Sequence, residues 1–432
     1  MLLSFQLEGF KSYADATLTL GVKGGQQVPL SVLIGANASG KTNLIEGLRL
    51  LSTIAGGTRL DAIRSGSTAG LRGGLPDLGY RGTSTFSFAC STDFDEYERY
   101  RIVLELRDDR LHIRDERVWS DSRVVPLFQV VDPSEGYASD VEVAYDNFAR
   151  GGKKPRVRCT DQISLLTQLS SSARFQATHK KAQRTVPQYC SLYRSLLGDI
   201  RLLDPRPTGM RGYSHRNDTI LDERGTNLSA VLFDLSRDPA TKETILRFIR
   251  DVPEQDIEDI DFIVTERGDV MVKLTETFGG HRTPYDASRL SDGTLRILAV
   301  AAALLSAPEG GLMIIEEIDN GVHASRVEAL LQRLSSIAGK RGLKVLVTSH
   351  NPALLDALPD NAVPDVVFCY RDREEGFSRL IRLEDVPDYP RLLMQGPLGR
   401  LVTRRTLDRF VSDGRTQDDR QRLALDWLAA QG

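Results

Sequence analysis

The octapeptide Gly35-Ala36-Asn37-Ala38-Ser39-Gly40-Lys41-Thr42 constrains this chain more than any other stretch. Its glycines, lysine and threonine stand at the spacing of a phosphate-binding loop. The apolar run Leu30-Ser31-Val32-Leu33-Ile34 before it predicts a buried strand, and Asn43-Leu44-Ile45-Glu46-Gly47-Leu48-Arg49-Leu50-Leu51 after it predicts an amphipathic helix. Strand, glycine loop and helix in that order wrap backbone N–H groups around a nucleotide's phosphates. Gly35, Ala36, Asn37, Ala38, Ser39, Gly40, Lys41, Thr42 and Asn43 are therefore the expected nucleotide-binding set, with ATP and Mg²⁺ as ligands. Lys41 is expected to reach the β- and γ-phosphates and the Thr42 hydroxyl to hold Mg²⁺, helped by the helix N-terminal dipole.

The 432 residues leave room for two or three structural units. No apolar run approaches the length needed to span a bilayer, and the opening residues alternate like a strand with no basic region before them. A cytoplasmic protein without a membrane partner is expected. The four cysteines are scattered, with no Cys-x-x-Cys pair, which predicts buried thiols rather than disulfides or zinc. Net charge is only −3, but residues 150–216 hold 14 Lys/Arg against 3 Asp/Glu. That block is a candidate polyanion-binding surface, with Lys153, Lys154, Arg156 and Arg158 as its first cluster and DNA as the expected partner. A solvated helical face, or arginines pairing with acids elsewhere in the chain, is the alternative.

Alternation of period two predicts an antiparallel meander up to residue 120, around Thr85-Phe86-Ser87-Phe88 and Tyr100-Arg101-Ile102-Val103-Leu104. Residues 120–155 read as irregular, and 160–250 as helical, with a helix opening at Asp161. Strands return at Ile260-Asp261-Phe262-Ile263-Val264 and Val270-Met271-Val272-Lys273-Leu274, followed by alternating helix and buried strand to about 390. The expected units are 1–120 and 256–395 as two halves of one α/β domain, 121–255 as a basic, mainly helical insertion, and 396–432 as a helical tail.

Four further elements carry candidate chemistry. Leu290-Ser291-Asp292-Gly293-Thr294 opens an Ala/Leu-rich helix, and Ser291 with Gly293 reads as an anion site or as a plain N-cap. Leu312-Met313-Ile314-Ile315-Glu316-Glu317 is an apolar strand ending in two carboxylates. Glu316 is expected to hold Mg²⁺ and Glu317 to orient and deprotonate an attacking water; a solvated acidic turn is the alternative. Asp319 follows in a turn, serving either that turn or a neighbouring subunit. Val345-Leu346-Val347-Thr348-Ser349-His350 brings a histidine to the sheet edge where ligands bind, so His350 is a candidate γ-phosphate sensor. Lys41, Glu317 and His350 are the expected catalytic residues.

The order of these elements resembles the P-loop ABC-type ATPase head shared by SMC, RecF and OLD-type ATPases. The match is closest to small bacterial "AAA family" ATPases that lack a Toprim nuclease. Leu7-Glu8-Gly9-Phe10-Lys11-Ser12 resembles that group's first strand. The resemblance implies an α/β fold, with a mixed central sheet, an antiparallel β lobe and a mainly helical basic insertion. It implies an ATP-hydrolysing head-to-head dimer or higher oligomer, each ATP lying between one subunit's phosphate loop and the other's Ser291 and Gly293. By analogy it implies DNA repair or anti-phage defence with a separate effector, a nuclease or a toxin. An ATP-dependent scaffold for a protein effector is the alternative. Arg64 resembles a stimulatory arginine or is a surface arginine, and Gln162 and Gln168 are both candidates for a Mg²⁺-sensing glutamine. The chain departs from the wider pattern in Glu316, where Asp is usual, and in Ile318, where Pro is common.

Overall fold

All five residues of the strand Leu30–Ile34 are buried, as a strand covered on both faces must be. The computed structural model describes residues 1–23, 26–63, 70–136, 138–250, 257–278, 280–320, 322, 324–358, 362–404 and 406–412. Arg64 and the segment around Trp427 lie outside the described residues.

The central sheet has six strands in the order Arg201–Leu203, Leu312–Ile315, Lys344–Ser349, Leu30–Ile34, Val367–Arg371 and Ser378–Arg382. The first five run parallel and the last is antiparallel. Register places Ile315 beside both Leu203 and Val347, and Ser349 beside Ile34. The phosphate loop, the acid pair and the Thr348–His350 segment therefore leave the same edge of the sheet, the C-terminal edge at which open α/β sheets bind ligands.

Beside this sheet stands an antiparallel lobe of eight strands. Its strand Leu2–Phe10 buries Leu2, Phe5, Leu7 and Phe10 and leaves the residues between them half-exposed, as expected when one face meets a core. The helix Lys41–Ala55 lays Leu44, Leu48, Leu51 and Ile54 against Leu7, Phe10 and Phe88 of the lobe. Leu48 is fully buried there, and its truncation to alanine should cost about 2–5 kcal/mol.

Two strands correct the reading of 120–155 as irregular, and a third follows directly after it. Phe128–Asp132, Asp140–Tyr145 and Arg156–Thr160 continue the same lobe sheet, so a boundary at 120 cuts through one sheet. They are short and joined by Pro-, Gly- and Asp-rich turns, which dilute the alternation over any longer window. The helix expected from Asp161 is also shorter, a single turn Leu165–Gln168. Asp161 and Gln162 are instead tied to the lobe through His112. The Ser164 hydroxyl and the Leu165 N–H donate to Glu116, 2.6 and 2.8 Å away. Glu116 is wholly buried and also accepts from the Tyr100 hydroxyl at 3.0 Å. Burial pushes its carboxyl up to about 7, against the pull of those donors.

The helical part of the expected insertion consists mainly of Lys180–Gly198, Leu228–Leu235 and Pro239–Arg250. Ile257–Val264 and Asp269–Phe278 form the expected strands, but in a separate small sheet with His281–Asp286 and Ser214–His215. The helix Asp292–Ser306 packs on that sheet through Leu295, Leu298 and Ala302, and on the central-sheet core through Ile297, Val300 and Leu304. Among the described residues no helix is long and apolar enough to cross a membrane, and all four cysteines are buried.

Candidate nucleotide site

The loop at residues 35–42 is clamped from behind. Gly35 and Gly40 have φ of 158° and 124°. A Cβ on Gly35 would meet the Cys369 carbonyl at 2.3 Å, and one on Gly40 the Ser378 hydroxyl at 2.4 Å. Gly40 in particular holds a backbone conformation that side chains disfavour. Ser378 Oγ lies 2.6 Å from the Ser39 carbonyl and 2.8 Å from Ser12 Oγ, which accepts from Asn43 Nδ2 at 2.7 Å. The loop is thus fixed to the first hairpin and the last one together.

Lys41 Nζ folds back on the loop, donating to the carbonyls of Gly35 at 2.5 Å and Ala36 at 3.2 Å. Burial lowers its pKa, while the charges of Cys369 and Glu317 act in the opposite direction. A half-buried ammonium that donates to loop carbonyls can exchange them for an anion. The cleft in front of it, about 620 Å³, is lined by Lys11, Lys41, Thr42, Asn43, Arg72 and Arg371 among others. That concentration of cations fits a triphosphate.

On the acid strand, Glu316 N–H donates to the Leu203 carbonyl at 2.9 Å. Burial raises the Glu316 carboxyl above its ordinary value, and the Asp204 charge adds to this, while Arg49 and Arg72 oppose it. Glu317 stands at φ 48° and its N–H donates to Thr348 Oγ1 at 3.2 Å. Its carboxylate accepts from Asn320 and lies 3.5 Å from His350 Nδ1. Both Glu317 and His350 are about half exposed. Lys41, Glu317 and His350, distant in sequence, meet at one edge. Thr42 brings a hydroxyl to the cleft and Glu316 a carboxyl to the end of the acid strand, oxygen donors of the kind Mg²⁺ takes. Such a small oxygen set, completed by phosphates and water, suits Mg²⁺. Asp319 is buried in its turn, 6% exposed, where its carbonyl accepts from Val322 N–H at 3.1 Å.

The helix that carries Ser291 and Gly293 begins at Asp292 with Ser291 as N-cap. Ser291 Oγ accepts from Thr294 N–H at 3.1 Å and lies 2.8 Å from Thr294 Oγ1. Its hydrogen bonds stay inside its own helix, and Ser291 is exposed. Gln162 and Gln168 lie within the lobe, and the Gln162 Oε1 is buried without a hydrogen-bond partner among the described residues. Gln162 donates to the Leu111 carbonyl at 3.1 Å, and Gln168 to the carbonyls of Thr160 and Ile163 at 2.8 and 2.6 Å.

Several residues escaped the sequence reading. Glu46 is buried and pairs with both Lys11 and Arg72, fixing the cleft's basic wall. Arg371 Nε donates to the Ala38 carbonyl at 3.2 Å. Arg206, held by Asp204 at 3.0 Å, feels the charges of Glu316 and Glu317. A basic residue closing a strand next to the phosphate-loop strand was a signal available for Arg371. Nothing local marks Arg72 or Arg206.

Residues 30–158 and 167–356 match the family model described as "AAA domain, putative AbiEii toxin, Type IV TA system". The chain belongs to this AAA-domain family. Its sheet order and site edge fit a P-loop ABC-type ATPase head. No curated protein matches the AAA-domain chain. Among solved structures it is similar to an SMC head bound to the C-winged helix domain of ScpA. That pair shares 13% identity over 89% of this chain and 98% of the other, with a TM-score of 0.46. The SMC head domain from Thermotoga maritima shares 12% identity over 88% and 98%, with a TM-score of 0.40. An SMC head with an extended coiled coil from Pyrococcus furiosus, bound to the C-terminal domain of ScpA, shares 12% over 91% and 98%, with a TM-score of 0.44.

Proposed function

We propose that this AAA-domain protein is an ATPase whose two heads close on nucleotide and whose nucleotide state sets the grip of a basic surface on DNA. One observation carries the reading. Lys41, Glu317 and His350 converge at one sheet edge, whereas Ser291 stands exposed on a helix tip whose hydrogen bonds are internal. Each is half of a site, and head-to-head pairing of two protomers completes both.

In this reading Lys41 leaves the loop carbonyls for the β- and γ-phosphates of ATP, and the N–H groups of residues 35–43 hold the phosphate chain. Mg²⁺, held by Thr42 and Glu316, would supply charge neutralisation between the phosphates. Glu317 orients a water and takes its proton as the oxygen attacks the γ-phosphorus and the bond to ADP breaks. His350 steadies Glu317 and hydrogen-bonds the γ-phosphate. Ser291 and Gly293 of the second protomer close over the same phosphate. Hydrolysis removes the shared ligand and lets the heads part.

The basic surface lies at the far end of the lobe. Arg156 and Arg158 project from the edge strand of the sheet. Lys180, Lys181 and Arg184 are exposed near the start of a helix that the Tyr145–His179 hydrogen bond ties to the lobe. With Lys153, these side chains form a patch suited to a phosphate backbone. A separate effector, a nuclease or a toxin, would read the gated state, in DNA repair or in defence against phage.

A second reading, an ATP-dependent scaffold that restrains a protein effector, draws on one fact. Lys154 pairs with Asp146 and Arg156 with Glu142, which lowers the charge free for DNA. Phosphate release measured with and without duplex DNA at low salt separates the two. Stimulation by DNA that is lost on reversing Lys153, Lys154, Arg156 and Arg158 supports the gated ATPase on DNA. No binding and no stimulation selects the scaffold.

A further inference from the structure

Arg211 follows the short helix Pro207–Met210 and reaches into the loop that precedes the Ser291 helix. Its guanidinium donates to the Ser288 carbonyl at 3.0 Å, the Leu290 carbonyl at 2.7 Å and the Asp292 carboxylate at 2.5 Å. Three acceptors within five residues are gathered by one planar fork, a geometry that lysine cannot reproduce. These acceptors are carbonyls before the helix and one side chain, so the Arg211 bonds use no N–H group of the helix tip. Met210, beside Arg211, is buried with Ala287, Leu290, Leu295 and Leu298.

The same segment begins at the acid strand. Leu203 pairs with Ile315, and its carbonyl accepts from Glu316 N–H. Asp204 N–H donates to the Glu223 carbonyl at 2.8 Å and Arg206 N–H to the Arg224 carbonyl at 3.0 Å. That bracing stretch is knotted by the Asp222 carboxylate, which accepts from the N–H groups of Arg224, Thr226 and Asn227 at 2.8, 3.1 and 3.1 Å. Residues 203–211 therefore form a braced strut between the acid pair and the Ser291 loop of one protomer.

We propose that Arg211 is a positioning residue that holds the Ser291 loop for the ATP bound by the second protomer, and that residues 203–211 link the two composite sites. The proposal rests on the head-to-head reading above. In a closed dimer the acid pair of a protomer faces its own nucleotide, while its Ser291 loop faces the other one. A strut joining them makes the closing of one site felt at the other. Losing three charge-assisted bonds should lower turnover by about ten- to a hundredfold.

The test is subunit mixing, read by phosphate release. Arg211→Ala alone should turn over slowly, yet bind a fluorescent ATP analogue as monomer with unchanged affinity, which also reports on folding. Arg211→Lys, which keeps the charge but not the fork, should fall between it and wild type. Mixed with Lys41→Ala, the Arg211→Ala chain should regain activity well above the sum of the two alone. The mixed dimer then holds one site with an intact phosphate loop and an intact Ser291 loop. Lys41→Ala mixed with Ser291→Arg serves as reference. If the reference pair regains activity and the Arg211→Ala pair does not, Arg211 acts on its own nucleotide and the proposal fails while the dimer reading stands. If neither pair does, the composite site falls and takes the proposal with it. Wild-type turnover by Arg211→Ala would also overturn it.

Discussion

At the phosphate-loop edge, polar groups satisfy one another across long stretches of sequence. Lys41 sits on loop carbonyls, Glu317 on Thr348 and Asn320, and the Ser12, Ser39 and Ser378 groups on each other. At the tip of the Asp292–Ser306 helix, the exposed Ser291 bonds only within its own turn, and the stiffening comes from behind, through Arg211. In the proposed function the first region serves as a receptor and the second as a lid carried on a helix. In that reading these two unlike surfaces meet between copies in an isologous two-fold contact, each patch of one protomer facing the other patch of its partner.

Predictions follow that contrast from the largest effect down. Lys41→Ala removes the receptor's central charge, and hydrolysis by the purified protein should fall below detection; turnover at the wild-type rate would place the reaction elsewhere. Glu317→Gln should slow phosphate release by about a hundred- to ten-thousandfold while ATP still binds. Light scattering should then show a dimer trapped by nucleotide, and a monomer at saturating ATP would break the pairing of the two regions. Ser291→Ala should sharpen the contrast. Nucleotide affinity of the monomer is expected to hold, whereas turnover and ATP-driven dimerisation weaken by about tenfold, the scale of one hydrogen bond to a charged group. Equal loss of affinity in Lys41→Ala and Ser291→Ala would mean that the helix tip contacts its own nucleotide.

The smallest effect tests the lobe beneath the receptor. Glu116 has a folded pKa of about 7 against an ordinary 4.5. The folded state thus binds more protons than the unfolded one between those values, and its contribution to stability declines as pH rises through that window. The melting temperature of wild type minus that of Glu116→Gln should fall from pH 5 to pH 8. A flat difference would show that the carboxyl titrates normally.

The phosphate loop was legible because its residues are contiguous and its glycines have a physical reason to be there. The acid strand and the Thr348–His350 segment were legible because fully buried parallel strands read as unbroken apolar runs. The strands between 128 and 160 were not, since each spans five or six residues between turn-rich linkers. Arg72, Arg206 and Arg211 were illegible for another reason. They act through partners 26 to 81 positions away, or through charge across the sheet edge, and no local pattern encodes such a pairing. The basic block was visible as composition, but its partial neutralisation by Asp146 and Glu142 emerges only when the lobe's strands are laid side by side.

The Leu30–Ile34 strand takes both of its sheet neighbours, Lys344–Ser349 and Val367–Arg371, from the last third of the chain. During synthesis the phosphate loop emerges early, but its strand has no sheet neighbours until the ribosome has passed those strands. A chain cut before those strands should therefore lack the two neighbours that hold the loop's strand in the sheet, so the order of synthesis sets when that loop can take its folded shape.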